Sequence, residues 1–274
     1  MPKLAKKKRK EAHKQAEALV QEVEHRTKFL QGLQTVLRYF AREDYLSDLE
    51  KFIPNLGHAY GTPLEVLNII GEELGRKFKR DEEDALEILS SMWGKGSREE
   101  RLVVAQVLHK LVTIAPALVE KFIWEEMRGL NNWEVCDALA TKAMGPLLLW
   151  RTDYLLGKIK KLAKDPNPWV RRLSILSLLT LAHQAQGFKR VEPVLKLLDP
   201  VMNDTEGDVK KAAAWVIRDF TPKSRQAVIR YLHKWVKGAS MDTEWIIRNA
   251  STKLPKAERA KLLNIIRTTG LAYV

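Results

Sequence analysis

A short pattern recurs along this chain at a nearly fixed interval. Asn132-Trp133-Glu134-Val135-Cys136-Asp137 is echoed by Pro168-Trp169-Val170-Arg171-Arg172, by Asp208-Val209-Lys210-Lys211 and by Glu244-Trp245-Ile246-Ile247-Arg248. The steps from Trp133 to Trp169, then to Asp208 and then to Trp245 are 36, 39 and 37 residues. Glu100-Arg101-Leu102-Val103 sits near the same phase. An interval of this size holds one helical hairpin. A single hairpin leaves its apolar face in water, so neighbouring hairpins must stack to bury it.

The intervening sequence agrees with that plan. Amphipathic stretches alternate with short breaks of Pro, Gly, Asn or Asp, and period-two runs rich in Val and Ile are missing. Leu19, Val23, Leu30, Leu33, Leu37 and Phe40 predict one long helix over 15–42. Further helices are predicted at 62–79, 81–93, 97–114, 116–127, 131–143, 150–164, 167–185, 188–202, 207–219, 222–237, 241–252 and 255–268. Thr62-Pro63, Asp165-Pro166-Asn167-Pro168, Thr221-Pro222 and Leu254-Pro255 carry the chemistry of helix starts. The expected fold is an all-α solenoid of HEAT-like hairpins. Residues 15–274 would form one repeat domain, with equivalent helices lining a concave face.

Charge divides the chain unevenly. Residues 1–14 hold seven Lys/Arg against one Glu, a balance of +6. Residues 15–150 hold 16 against 22, or −6, and residues 151–274 hold 24 against 11, or +13. A polyanion is drawn to the second half and repelled by the middle. Residues 1–14, with the Lys6–Lys10 cluster, read as a basic flexible tail: an electrostatic arm, an import signal or simply a frayed, solvated terminus. With 45% hydrophobic residues a packed core is within reach, and no apolar run approaches bilayer length. The single cysteine, Cys136, rules out a disulfide framework and a thiolate zinc cluster. The chain therefore reads as a soluble intracellular protein, cytoplasmic and nucleoid-associated, or nuclear if the tail is an import signal.

Several chemistries drop out. No G-x-S-x-G, Walker phosphate loop or G-x-G-x-x-G occurs. The six histidines lack H-x-x-x-H spacing, so no metal and no cofactor is expected. What remains lies on the repeated helices. Trp133 and Asp137 share a helical face at i,i+4, as do Trp169 and Arg172 at i,i+3. Lys211 and Trp215 follow, with Arg218 a turn later, and Trp245 with Arg248 repeats the theme. Cations suit phosphates, while indoles suit sugars, bases or a cationic ligand. Read from the pattern, Trp169 and Trp245 serve equally well as packing between repeats. Read from the same pattern, Asp137 fits a surface carboxylate or an ion-pair partner of Arg172 as well as a group that does chemistry. Trp93, Trp124, Trp150 and Trp235 read as core or packing.

At these residues the chain resembles the AlkD family of DNA alkylation-repair glycosylases, built from HEAT-like repeats. The likeness spans roughly 58–250. It is carried by Trp133-Glu134-Val135-Cys136-Asp137 (W-x-x-x-D), Trp169-Val170-Arg171-Arg172 (W-x-x-R) and Trp215-Val216-Ile217-Arg218 (W-V-x-R). Gly61-Thr62-Pro63 and Trp93 followed by Arg98-Glu99-Glu100 add weaker support. The resemblance implies excision of positively charged N3- or N7-alkylated purines from duplex DNA by a monomer. It makes Asp137 the catalytic carboxylate, sets Trp133 and Trp215 around the damaged nucleotide, and puts Arg172 on the backbone beside it. Trp169, Lys211, Arg218 and Arg248 are the further DNA-binding candidates. Asn132 departs from the family, whose members often carry a second aromatic there. Two other readings compete: a non-catalytic binder of damaged or branched DNA, and a helical scaffold for protein partners.

Overall fold

The computed structural model describes residues 4–78, 82–94, 96–184 and 190–270. Residues 1–3 of the predicted tail, and the ends 79, 81, 185 and 188–189 of predicted helices, lie outside them. The chain divides into two compact units, Met1–Ala143 and Met144–Val274. Every regular element among the described residues is helical.

The first unit contains α1 (Lys6–Gln21), α2 (Arg26–Phe40), α3 (Glu43–Phe52), α4 (Leu64–Phe78), α5 (Glu82–Gly94), α6 (Arg98–Leu111), α7 (Pro116–Glu126) and α8 (Trp133–Leu139). Within it α1, α4, α6 and α8 pack side by side in one row, and α5 packs against α4, α6 and α7. The second unit contains α9 (Gly145–Trp150), α10 (Thr152–Leu162), α11 (Pro168–Leu176), α12 (Leu179–His183), α13 (Val191–Leu195), α14 (Gly207–Phe220), α15 (Arg225–His233), α16 (Met241–Ala250) and α17 (Lys256–Gly270). Here α11, α14 and α16 form one row, and α13, α15 and α17 the other. The helices that carry the recurring sequence pattern are thus neighbours within each unit.

Close approach in the first row depends on a small residue. A Cβ placed on Gly71 of α4 would sit 2.6 Å from Cβ of Gln106 on α6. Any side chain there would push the two helices apart. The row helices also start on side-chain caps. Ser97 forms a reciprocal capping box with Glu100 on α6. Asn132 accepts from the Val135 N–H, Asn167 from the Trp169 N–H and Ser240 from the Thr243 N–H. Each cap satisfies an amide that the helix itself leaves open. Asn132, a departure from the family at the level of sequence, is therefore the N-cap of α8.

Several expectations need correction. The single helix over 15–42 is two helices, α1 and α2, parted by a turn at residues 22–25. Residues 6–14 are the first half of α1, which packs along α4 and buries Ala12 and Ala16. The Leu4 N–H donates to Glu65 at 2.9 Å, while Arg9 and His13 pair with Glu65 and Glu73 at 3.6 Å. Lys6, Lys7, Lys8 and Lys10 form the solvent side of this helix. Helix α3 is absent from the predicted set, although Tyr45, Leu46, Leu49 and Phe52 recur on it at helical spacing. Thr221-Pro222 does not start a helix; α15 starts after Ser224, which accepts from the Ala227 N–H at 3.3 Å. Trp150, expected in packing, is 57% exposed at the end of α9.

Candidate functional site

In the first unit, Trp133 opens α8 and Asp137 follows one turn later on the same face. Both are half-buried. The Trp133 indole N–H donates to the Phe52 carbonyl at 3.2 Å, and the Asn55 side chain donates to the Asn131 carbonyl at 3.4 Å. The segment after α3 is thereby tied to the start of α8. Toward its C-terminal end, α8 runs into a π turn at Ala140–Met144, where the Thr141 hydroxyl donates to the Asp137 carbonyl at 2.7 Å. Such turns reshape a helix locally and are frequent near functional groups.

Glu134, next to Trp133, belongs to a polar cluster of which the sequence pattern marks only some members. The Arg98 side chain is fully buried. Its Nε and Nη2 donate to the two oxygens of Glu134 at 2.5 Å each, and its Nη1 donates to Glu99 at 3.1 Å. Burial works against the guanidinium charge, but the hydrogen bonds and charges of Glu134 and Glu99 outweigh it and hold its pKa above the usual arginine value. Glu99 in turn accepts from the amides of Tyr60, Gly61 and Thr62 at 3.0, 3.0 and 3.3 Å. The Arg98 amide donates to the His58 carbonyl at 2.9 Å. Gly61 has φ of +79°, and a Cβ there would meet the Arg42 carbonyl at 2.7 Å. The Gly61-Thr62-Pro63 turn and the start of α8 thus share one buried anchor. Nearby, Lys142 donates to Asn68 at 2.9 Å and to Gln106, and burial depresses its pKa.

The second unit carries the cation-rich row. Lys211 and Arg248 are exposed, and Arg218 is half-buried. Lys211 pairs with Asp208 at 3.1 Å and Arg248 with Glu244 at 2.5 Å, each on its own helix. Trp169 and Trp215 are half-buried, and Trp245 is more open, with the Lys210 ammonium 5.9 Å from its ring centre. Arg172 differs from the other cations. It is 5% exposed, and its Nη1 donates to the Asp208 carbonyl on the adjacent α14. Arg171 beside it forms a two-bond pair with Asp204 at 2.7 and 3.0 Å.

The Trp215 indole N–H donates to Asp219, one turn on along α14, at 3.1 Å. Asp219 also receives His183 Nε2 at 2.9 Å and Lys253 Nζ at 2.7 Å, with Arg218 Nε at 3.7 Å. Burial pushes its pKa up, but the bonds from Lys253 and His183 prevail and bring it below the ordinary carboxylate value. Asp219 is not among the residues expected from the sequence, although its i,i+4 spacing from Trp215 matches that of Asp137 from Trp133.

A family model described as DNA alkylation repair enzyme matches residues 33–254. No curated protein matches the chain. Among solved structures, a predicted DNA alkylation repair enzyme from Enterococcus faecalis is similar at 16% identity, with a TM-score of 0.66 over 79% of this chain and 97% of that one. AlkD2 from Streptococcus mutans is similar at 18% identity, with a TM-score of 0.58 over 77% and 97%. These structures share the helical-repeat fold. No helix among the described residues is long and apolar enough to cross a membrane.

Proposed function

Because the chain belongs to the DNA alkylation repair enzyme family, we propose that it is a DNA glycosylase releasing positively charged N3- or N7-alkylated purines from duplex DNA. The observation that carries this reading is the pairing of Trp133 and Asp137 on one face of α8. The helix is fixed by the Asn132 cap, the Phe52 carbonyl and the buried Arg98–Glu134 pair.

An alkylated purine already bears the charge that a general acid would otherwise supply. When the C1′–N bond breaks, its electron pair passes to the purine, which leaves neutral. Positive charge builds on the sugar instead, and water adds its oxygen to C1′ and gives up a proton. A fixed carboxylate stabilises that sugar charge and orients the water. A unit charge pair at about 4 Å and an effective dielectric near ~20 contributes roughly 4 kcal/mol. That corresponds to about 10³ in rate. We assign this role to Asp137. Trp133 and Trp215 each offer an indole face to a damaged nucleotide, since such faces favour cations. Lys211, Arg218, Arg248 and Trp169 engage the duplex, and Arg172 supports them by joining α11 to α14.

Release of 7-methylguanine from methylated duplex DNA tests the reading. Asp137→Asn is expected to keep duplex affinity and lose about 10³-fold in single-turnover excision. Full excision by that variant removes Asp137 from the chemistry. Tight binding by the wild-type protein without any base release favours the non-catalytic binder.

A further inference from the structure

Resting on the reading that Trp215 meets the alkylated nucleotide, we propose that Asp219 is a specificity-determining positioning residue. It fixes the Trp215 indole and enriches its ring in electron density, so that the enzyme favours a cationic purine over a neutral one of the same shape.

The argument starts from the acceptors of the two indoles. Trp133 donates to a neutral carbonyl, that of Phe52. Trp215 donates to a carboxylate. A bond from N–H to an anion is shorter and stronger than one to a neutral acceptor. Hydrogen bonds also polarise the groups that make them. Drawing the indole proton toward an anion shifts electron density onto the ring and deepens the negative face that attracts cations. The carboxylate is held ready for this task. Its side chain is 10% exposed, and it is clamped by Lys253 from the segment after α16, by His183 from α12 and by Arg218 from its own helix. Such a clamp keeps Asp219 ionised and leaves it a single orientation.

The test compares two non-hydrolysable duplexes. One carries 7-methylguanine on a 2′-fluoroarabinose sugar and is cationic. The other carries 7-deaza-7-methylguanine and is neutral with the same outline. The wild-type protein is expected to prefer the cationic duplex. In Asp219→Asn that preference, taken as a ratio of affinities at equal salt so that any common change in duplex affinity cancels, falls about threefold to tenfold. Asp219→Glu, which keeps the charge, restores part of the preference. In a Trp215→Phe background Asp219→Asn changes nothing further, because the mediating N–H is gone. The Trp215 Nε1–H resonance, identified by its loss in Trp215→Phe, moves upfield in Asp219→Asn.

An unchanged preference in Asp219→Asn overturns the inference. So does an effect of equal size in the Trp215→Phe background, which marks a through-space charge rather than a tuned ring. If Asp219→Asn fails to fold, Asp219→Glu and Trp215→Phe carry the test, and equal preferences in those two overturn it. A wild-type protein that excises 7-methylguanine while Asp219→Asn keeps its preference defeats only this inference. A wild-type protein that neither excises nor prefers the cation defeats the glycosylase reading and this inference together.

Discussion

Arg98 and Glu134 lie 36 residues apart, one repeat, and meet through two bonds of 2.5 Å with the arginine side chain fully buried. The same interval recurs elsewhere in polar contacts between adjacent hairpins. His183 reaches Asp219 across 36 residues, Lys234 reaches Asp199 across 35, and Ser240 reaches Asn203 across 37. Apolar surface glues hairpins together without fixing their register, whereas these directional bonds permit one register.

Removing Arg98 leaves Glu99 and Glu134 buried without their counter-charge. Arg98→Met is therefore expected to lower unfolding free energy by about 3–5 kcal/mol. Arg98→Met with Glu134→Leu should recover part of that loss. Urea denaturation of the two variants decides the matter, and equal stability of both would show that the pair is not coupled.

Gly61 occupies a backbone region that other residues reach only under strain, and its missing Cβ leaves room for the Arg42 carbonyl. Gly61→Ala is expected to cost more than about 1 kcal/mol. Since Glu99 holds this turn and also binds Arg98, excision of 7-methylguanine should fall too. A thermal melt and a base-release assay on the same preparation read both effects.

Exposure separates the cations of the second unit into two groups. Arg248→Ala and Lys211→Ala are expected to leave folding nearly unchanged. Each is expected to reduce the salt slope of duplex binding by about 0.9 for every phosphate that the missing cation would have neutralised. Arg172→Ala should instead lower stability by about 1–3 kcal/mol, because the Asp208 carbonyl loses its buried donor. Binding isotherms at several salt concentrations, together with melting curves, distinguish the two behaviours.

Asp219 makes stability depend on pH in a definite direction. Its pKa is lower in the folded protein than in the unfolded chain, so the unfolded state takes up its proton first. The stabilisation is complete above the unfolded value near ~3.9 and fades as pH falls through the lower folded value. Wild type should therefore exceed Asp219→Asn in stability at neutral pH, and the difference should shrink below about pH 4. Denaturant midpoints across that range measure it, and a pH-independent difference would contradict the assignment.

What the amino-acid sequence determined here is what depends on near neighbours. Helical periodicity, the Asn and Ser caps, the hairpin interval and the division of charge are all properties of short windows or of simple counts. The Trp133–Asp137 pairing was legible for the same reason, since residues four apart on a helix share a face wherever the helix goes. The break between α1 and α2 was not legible, because continuous apolar spacing reads the same with or without a turn at 22–25.

The tertiary structure alone decided which polar groups are buried and what they face. Arg172 and Lys211 look alike in sequence, yet one is enclosed between α11 and α14 and the other stands in water. Arg98, Glu134 and the donors around Asp219 acquired their meaning only when segments 34–36 residues apart came together. Burial and hydrogen-bond partnership are set by the neighbouring hairpin, so no local window of sequence contains them.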